Sequence, residues 1–229
     1  MRDFPTEIKS IWKMEHTELS SITFVPSTKV CGTIPRLEEG CLHVEVKCNP
    51  AMEQIILWHE GAHVYLFHLG YPPCQFQEKG KSYLLGHPVD FVAEYLATKL
   101  ELERRYSTQS EREKELRQRL DHALLPIPIR GLHVPQPGAG KLAISAAMCT
   151  VISQQWTNTL TDEAEKTIAG TIDELKAVYK SVVAALQQTP SISFGSSRLT
   201  NETVQKIKAV LSASFNEVYR GVCTIQFII

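Results

Sequence analysis

The 229-residue sequence predicts an α+β fold: a small sheet packed on a long helix, followed by a mostly helical section. Three observations carry this. Cys41 to Lys47 alternates Leu42, Val44 and Val46 with His43, Glu45 and Lys47, the period-two pattern of a strand with one wet face. Ala51 to Leu69 is a long apolar run entered through Asn49-Pro50 and left through Gly70, which are start and stop chemistry for a helix. Beyond a proline-rich stretch, the last ninety or so residues return to helical spacing.

Taken in order, Glu7–Glu18 suits a short helix. Ser21–Val25 is β-branched and ends at Pro26, and Lys29–Ile34 offers a second strand. The Cys41–Lys47 strand follows Gly40 and is expected to present an open edge. After the long helix, Pro72 and Pro73 prevent continuation, and residues 71–87 read as a loop. A second helix begins near His87-Pro88 and carries Asp90, Phe91, Ala93, Tyr95, Leu96 and Leu100. Lys99–Asp121 mixes both signs of charge, which describes a solvated helix face rather than a nucleic-acid surface. Residues 126–140 hold Pro126, Pro128, Pro135 and Pro137, a density that forbids a regular element and marks a linker. Leu142–Asn158, Asp162–Leu186 and Asn201–Val222 read as helices, with cap chemistry at Thr161-Asp162-Glu163 and Thr200-Asn201-Glu202. The chain thus divides into residues 1–125, a 126–140 linker and a helical section 141–229, whose apolar end, Thr224–Ile229, should dock on the rest.

Twenty-four Lys and Arg against twenty-five Asp and Glu leave a net charge of −1, with no basic excess to hold nucleic acid. No run approaches the ~20 apolar residues of a membrane span, and Met1–Glu7 lacks the apolar core of an export signal. These features lead to the expectation of a soluble, cytoplasmic protein. The six cysteines are scattered without a C-x-x-C pair, so reduced thiols are expected.

The chemistry lies in Trp58-His59-Glu60-Gly61-Ala62-His63. A separation of four sets the His59 and His63 imidazoles on one helix face, a turn apart, within reach of one ion. Glu60 sits beside the first of them, as a zinc hydrolase requires: two neutral nitrogen ligands and a carboxylate base that is not itself a ligand. A catalytic zinc takes a third protein ligand and keeps one position open. Asp90-Phe91-Val92-Ala93-Glu94 supplies two carboxylates on one face. Asp90 is read as the third ligand and Glu94 as the acid that hydrogen-bonds a ligand histidine, with Glu94 as the alternative ligand.

The H-E-x-x-H run, followed by Asp90-Phe91-Val92-Ala93-Glu94-Tyr95-Leu96-Ala97 in an E-x-x-A-(D/N)-x-x-A frame, resembles the gluzincin metallopeptidases. Residues 41–100 resemble the ImmA/IrrE-like peptidases, and the CAAX-processing endopeptidases are similar in the same motif. The resemblance implies a metallopeptidase domain in residues 1–125, zinc on His59, His63 and Asp90, and Glu60 as general base. It also implies a peptide or protein substrate. The two acids are exchanged relative to that family, which has Glu as ligand and Asp or Asn four residues later.

Other signals carry less. Gly138-Ala139-Gly140-Lys141 lacks the first glycine and the Ser or Thr of a phosphate loop. His68 turns off the metal face, and His122 and His133 flank the proline-rich stretch. Tyr71, Tyr83 and His87 are candidates for an oxyanion donor. A non-haem iron site would have no use for Glu60. The competing reading is a non-catalytic protein-interaction module, for which Glu60 would again be superfluous.

Overall fold

The structure, a computed structural model, describes residues 2–14, 19–80, 88–124, 139–156, 160–219 and 221–228. It is a mixed α+β fold with a helical C-terminal part. Tyr83, His87, His133 and nearly all of the 126–140 linker fall outside the described residues.

Helix α1 (Phe4–Ile11) is capped by Asp3, whose carboxylate accepts the Thr6 N–H. It is shorter than the sequence suggests and ends at Trp12, which is fully buried. Strands β1 (Ser21–Pro26), β2 (Gly32–Glu38) and β3 (Cys41–Cys48) form a sheet in the order β1-β3-β2. β1 runs parallel to β3, and β2 runs antiparallel to it, with Thr33 opposite Val46. The alternation in β3 is the one the sequence predicts, with Val44 and Val46 in the core. Its expected open edge is not found, because β3 is the central strand and β2 lies at the border. A strand's own pattern reports its faces and says nothing of its neighbours.

The expectation of six reduced thiols is corrected too. Cys31 and Cys48 form a disulfide, while Cys41, Cys74, Cys149 and Cys223 are free. The β2–β3 register sets Gly32 opposite Lys47, so the next pair outward is Cys31 and Cys48. Their separation of 17 residues in sequence gives no sign of that proximity.

The long helix is built in two styles. Ile55–Glu60 is π-helical and runs straight into α2 (Gly61–His68). Gly70 ends it with a φ of +91°, the left-handed conformation for which the sequence pattern calls. β4 (Cys74–Glu78) lies in the stretch expected to be loop, and it pairs antiparallel with the C-terminal β5 (Cys223–Phe227). That pairing is where the apolar tail docks.

Helix α3 (Phe91–Arg105) crosses the π turn and α2, with Ala93 and Ala97 buried at the approach. The charge-dense stretch is two helices, α3 and α4 (Gln109–Leu124), rather than one. α5 (Ala139–Trp156), α6 (Thr161–Ala169), α7 (Asp173–Gln188) and α8 (Asn201–Tyr219) complete the chain, so the run expected to be one helix over 162–186 breaks at Gly170. One continuous hydrophobic core joins both halves, from Phe4 and Val44 through Leu96 to Leu186 and Phe215. Specific bonds also cross between them: the Leu199 N–H reaches Leu69 O, and the Val89 N–H reaches the Tyr219 hydroxyl. The helical section therefore packs against residues 1–125 rather than standing apart. Among the described residues, no helix is long and apolar enough to cross a membrane.

Candidate metal centre

The π turn carries His59 and Glu60 and hands His63 to the first turn of α2. In the wider turn the Gly61 N–H reaches back five residues to Ile56 O. The Leu57 carbonyl, which an α-helix would pair with Gly61, instead accepts the Trp12 indole N–H at 2.9 Å. The Trp12 indole closes the space beside Gly61. A Cβ there would meet Trp12 Nε1 at 2.4 Å, so only glycine fits. π turns of this kind recur at functional sites because they re-aim the side chains they carry.

His59 and His63 face each other nearly at right angles, with ring centroids 5.1 Å apart. Glu94, from the first turn of α3, comes between them. Its Oε2 is 3.4 Å from His59 Nε2 and its Oε1 is 3.5 Å from His63 Nε2. The three side chains each offer a ligand atom, all within 4.8 Å of one another. These separations are wide for charge-assisted hydrogen bonds, which close to roughly 2.7–2.9 Å. One ligand atom from each of the three residues lies close enough to the others to meet a single ion. The donor set of two imidazoles and one carboxylate also suits zinc.

His59 Nδ1 lies 3.2 Å from Glu101 Oε2, two helical turns beyond Glu94 on α3. Burial works against the charged His59 imidazole, but the Glu101 and Glu94 carboxylates beside it outweigh burial and lift its pKa to about 10. Glu94 is held well below the usual carboxylate range, its burial outweighed by the His63 and His59 rings.

Glu60 is 4% exposed and lines the same cleft of about 500 Å³ as His59, His63 and Glu94. The Thr33 hydroxyl, from the border strand β2, donates to its Oε2 at 2.7 Å. This leaves the other carboxylate oxygen without a bond to Thr33.

Asp90 is placed differently from its reading as third ligand. It is the N-cap of α3: Oδ1 accepts the Ala93 N–H at 2.9 Å, and both oxygens accept the Tyr71 hydroxyl at 3.0 and 2.9 Å. The Cys74 thiol adds a contact at 3.4 Å. Asp90 lines the cleft but stands outside the three-residue cluster, and Glu94, the alternative, takes the place beside the histidines. Tyr71 is buried and donates to Asp90, so its hydroxyl is committed there rather than to an oxyanion. His68 packs beside the Tyr65 ring and is not part of the three-residue cluster.

Two residues of the site were missed by sequence reasoning. Glu101 could have been found as the acid seven residues after Glu94, hence on nearly the same face of α3. Thr33 carries no signal, because only the sheet brings β2 to Glu60. No protein-family model, curated protein or solved structure matches the chain.

Proposed function

We propose that this chain is a zinc-dependent metallopeptidase. The observation that carries the reading is the convergence of His59, His63 and Glu94, one ligand atom from each within 4.8 Å of the others, with the Glu60 carboxylate buried in the same cleft. His59 Nε2, His63 Nε2 and a Glu94 oxygen would hold the ion. With Glu94 rather than Asp90 in that role, the third ligand is a glutamate, as in the gluzincins that the sequence resembles. Zinc in such a site makes water acidic near neutral pH and polarises a carbonyl.

The chain's own residues supply the rest. Glu60, held through Oε2 by Thr33, takes the proton of the water attacking the peptide carbonyl. The water oxygen bonds to the carbonyl carbon, the C–N bond breaks, and Glu60 returns the proton to the leaving amine. β2 contributes Gly32, Thr33 and Pro35 to the cleft wall, and among the described residues it pairs with β3 alone. Its outer edge is therefore the side on which an extended peptide would add.

The test is metal analysis of the purified chain together with hydrolysis of a peptide library. We expect one zinc per chain in the wild type, loss of zinc in His59→Ala, and Glu60→Gln that keeps zinc but loses about 10²–10⁴-fold in rate. Hydrolysis that survives Glu60→Gln with zinc still bound would overturn the mechanism. A zinc-binding wild type without peptidase activity on the library would favour the interaction module.

A further inference from the structure

We propose that Glu101 and Arg119 form a positioning pair that fixes the His59 imidazole for the ion; this rests on the metal reading above. One carboxylate joins three elements. Glu101 Oε2 faces His59 Nδ1 on the π turn at 3.2 Å, and Oε1 accepts from Arg119 Nη2 on α4 at 2.7 Å. Glu101 is 3% exposed, so its partners within the protein must satisfy it.

The consequence follows from donor and acceptor rules. An ionised carboxylate only accepts, so in the neutral ring that an ion would take the hydrogen sits on His59 Nδ1, and Nε2, which faces Glu94, is the nitrogen left to bind. Arg119 cannot give up its proton, and its charge keeps Glu101 an anion, hence an acceptor. Arg119 is itself held from the far side by Glu115, whose Oε1 accepts from Nε at 3.2 Å. Seven residues separate Glu94 from Glu101, close to two helical turns. One face of α3 therefore carries both a ligand and the acid that orients another ligand, while α4, outside the cleft, anchors that acid.

The measurement is zinc affinity, by competition of the full-length chain against a chelating dye. Glu101→Gln should bind the same number of zinc ions about 10–100-fold more weakly, the usual effect of losing a partner behind a metal-bound histidine. Glu115→Gln touches Arg119 but not His59, so it controls for loosening of α4 and should stay within about twofold of wild type. Glu101→Gln/Arg119→Met removes both charges, leaves no buried ion unpaired, and should show the same weakening even if the single variant misfolds. Unchanged zinc affinity in Glu101→Gln and in the pair variant, with only lower thermal stability, would make the pair structural and overturn the inference. A wild-type chain that binds no zinc would remove the metal reading as well, so the two failures are distinguishable.

Discussion

Asp90 and Glu94 sit one turn apart on α3, yet the structure gives them opposite tasks. Asp90, at the position before the helix, turns its short side chain back onto the Ala93 N–H, the geometry for which Asp is preferred at helix starts. Glu94 lies on the face that meets α2, and its extra methylene carries it to both imidazoles. The two should therefore fail in different ways. Asp90→Ala removes a cap and leaves the Tyr71 hydroxyl without its acceptor, which should destabilise the fold by on the order of 2 kcal/mol in urea titrations. It should leave zinc bound. Glu94→Ala breaks no helix cap but should abolish stoichiometric zinc. Isothermal titration with zinc reads the second effect, and the reverse pattern would restore Asp90 as the ligand.

At the level of elements, the decisive piece is the π turn and what holds it open. A regular α-helix over Ile55–Glu60 would pair Leu57 O with the Gly61 N–H; here the Trp12 indole satisfies that carbonyl from outside. The segment that follows α1 thus bears on the His59–His63–Glu94 cluster without joining it, by delivering Trp12. Gly61 is the other half of the device, since an added methyl group would push into Trp12 Nε1. Gly61→Ala has a higher intrinsic helix propensity and should still be destabilising, by about 1–3 kcal/mol, because overpacking outweighs propensity at a buried contact. The same variant should weaken zinc binding, because the indole cannot move without releasing Leu57 O. A stabilised Gly61→Ala with unchanged zinc affinity would show that the contact is yielding.

For the whole molecule, the C-terminal part closes the fold around the cleft instead of forming a separate body. β5 pairs with β4, Phe76 of β4 stacks on Phe215 of α8 at 5.2 Å, and Cys74 and Phe76 line the cleft wall. The free thiols report on this packing. Cys41 is exposed, whereas Cys149 is buried on α5 and its thiol is pushed up to about 12 by burial, so near pH 8 it stays almost wholly protonated. Iodoacetamide at pH 8 followed by mass spectrometry should label Cys41 within minutes and Cys149 only after denaturant is added. Cys31 and Cys48 should remain unlabelled until a reductant is present. Raising the pH short of unfolding should leave Cys149 largely protonated and unlabelled, because only the thiolate reacts and burial holds this thiol near pH 12. Rapid native labelling of Cys149 would mean that α5 does not sit in a closed core.

The sequence by itself determined what depends on local spacing. The period-two strand with Val44 and Val46 inward, the helix stop at Gly70, the pairing of His59 with His63, and the α+β class all follow from repeats within a few residues, where backbone geometry ties position to direction; the start foreseen at Asn49-Pro50 is instead a turn, and the helix begins at Glu53. Tertiary structure decided everything that needs two distant segments at once. It chose Glu94 over Asp90 beside the histidines, brought Thr33 to Glu60 and Glu101 to His59, made β3 central, and joined Cys31 to Cys48. The physical reason is common to these cases. A side chain's reach and partner depend on how far apart two backbones pack and in which register, and neither quantity is written in the spacing of residues along one strand or helix.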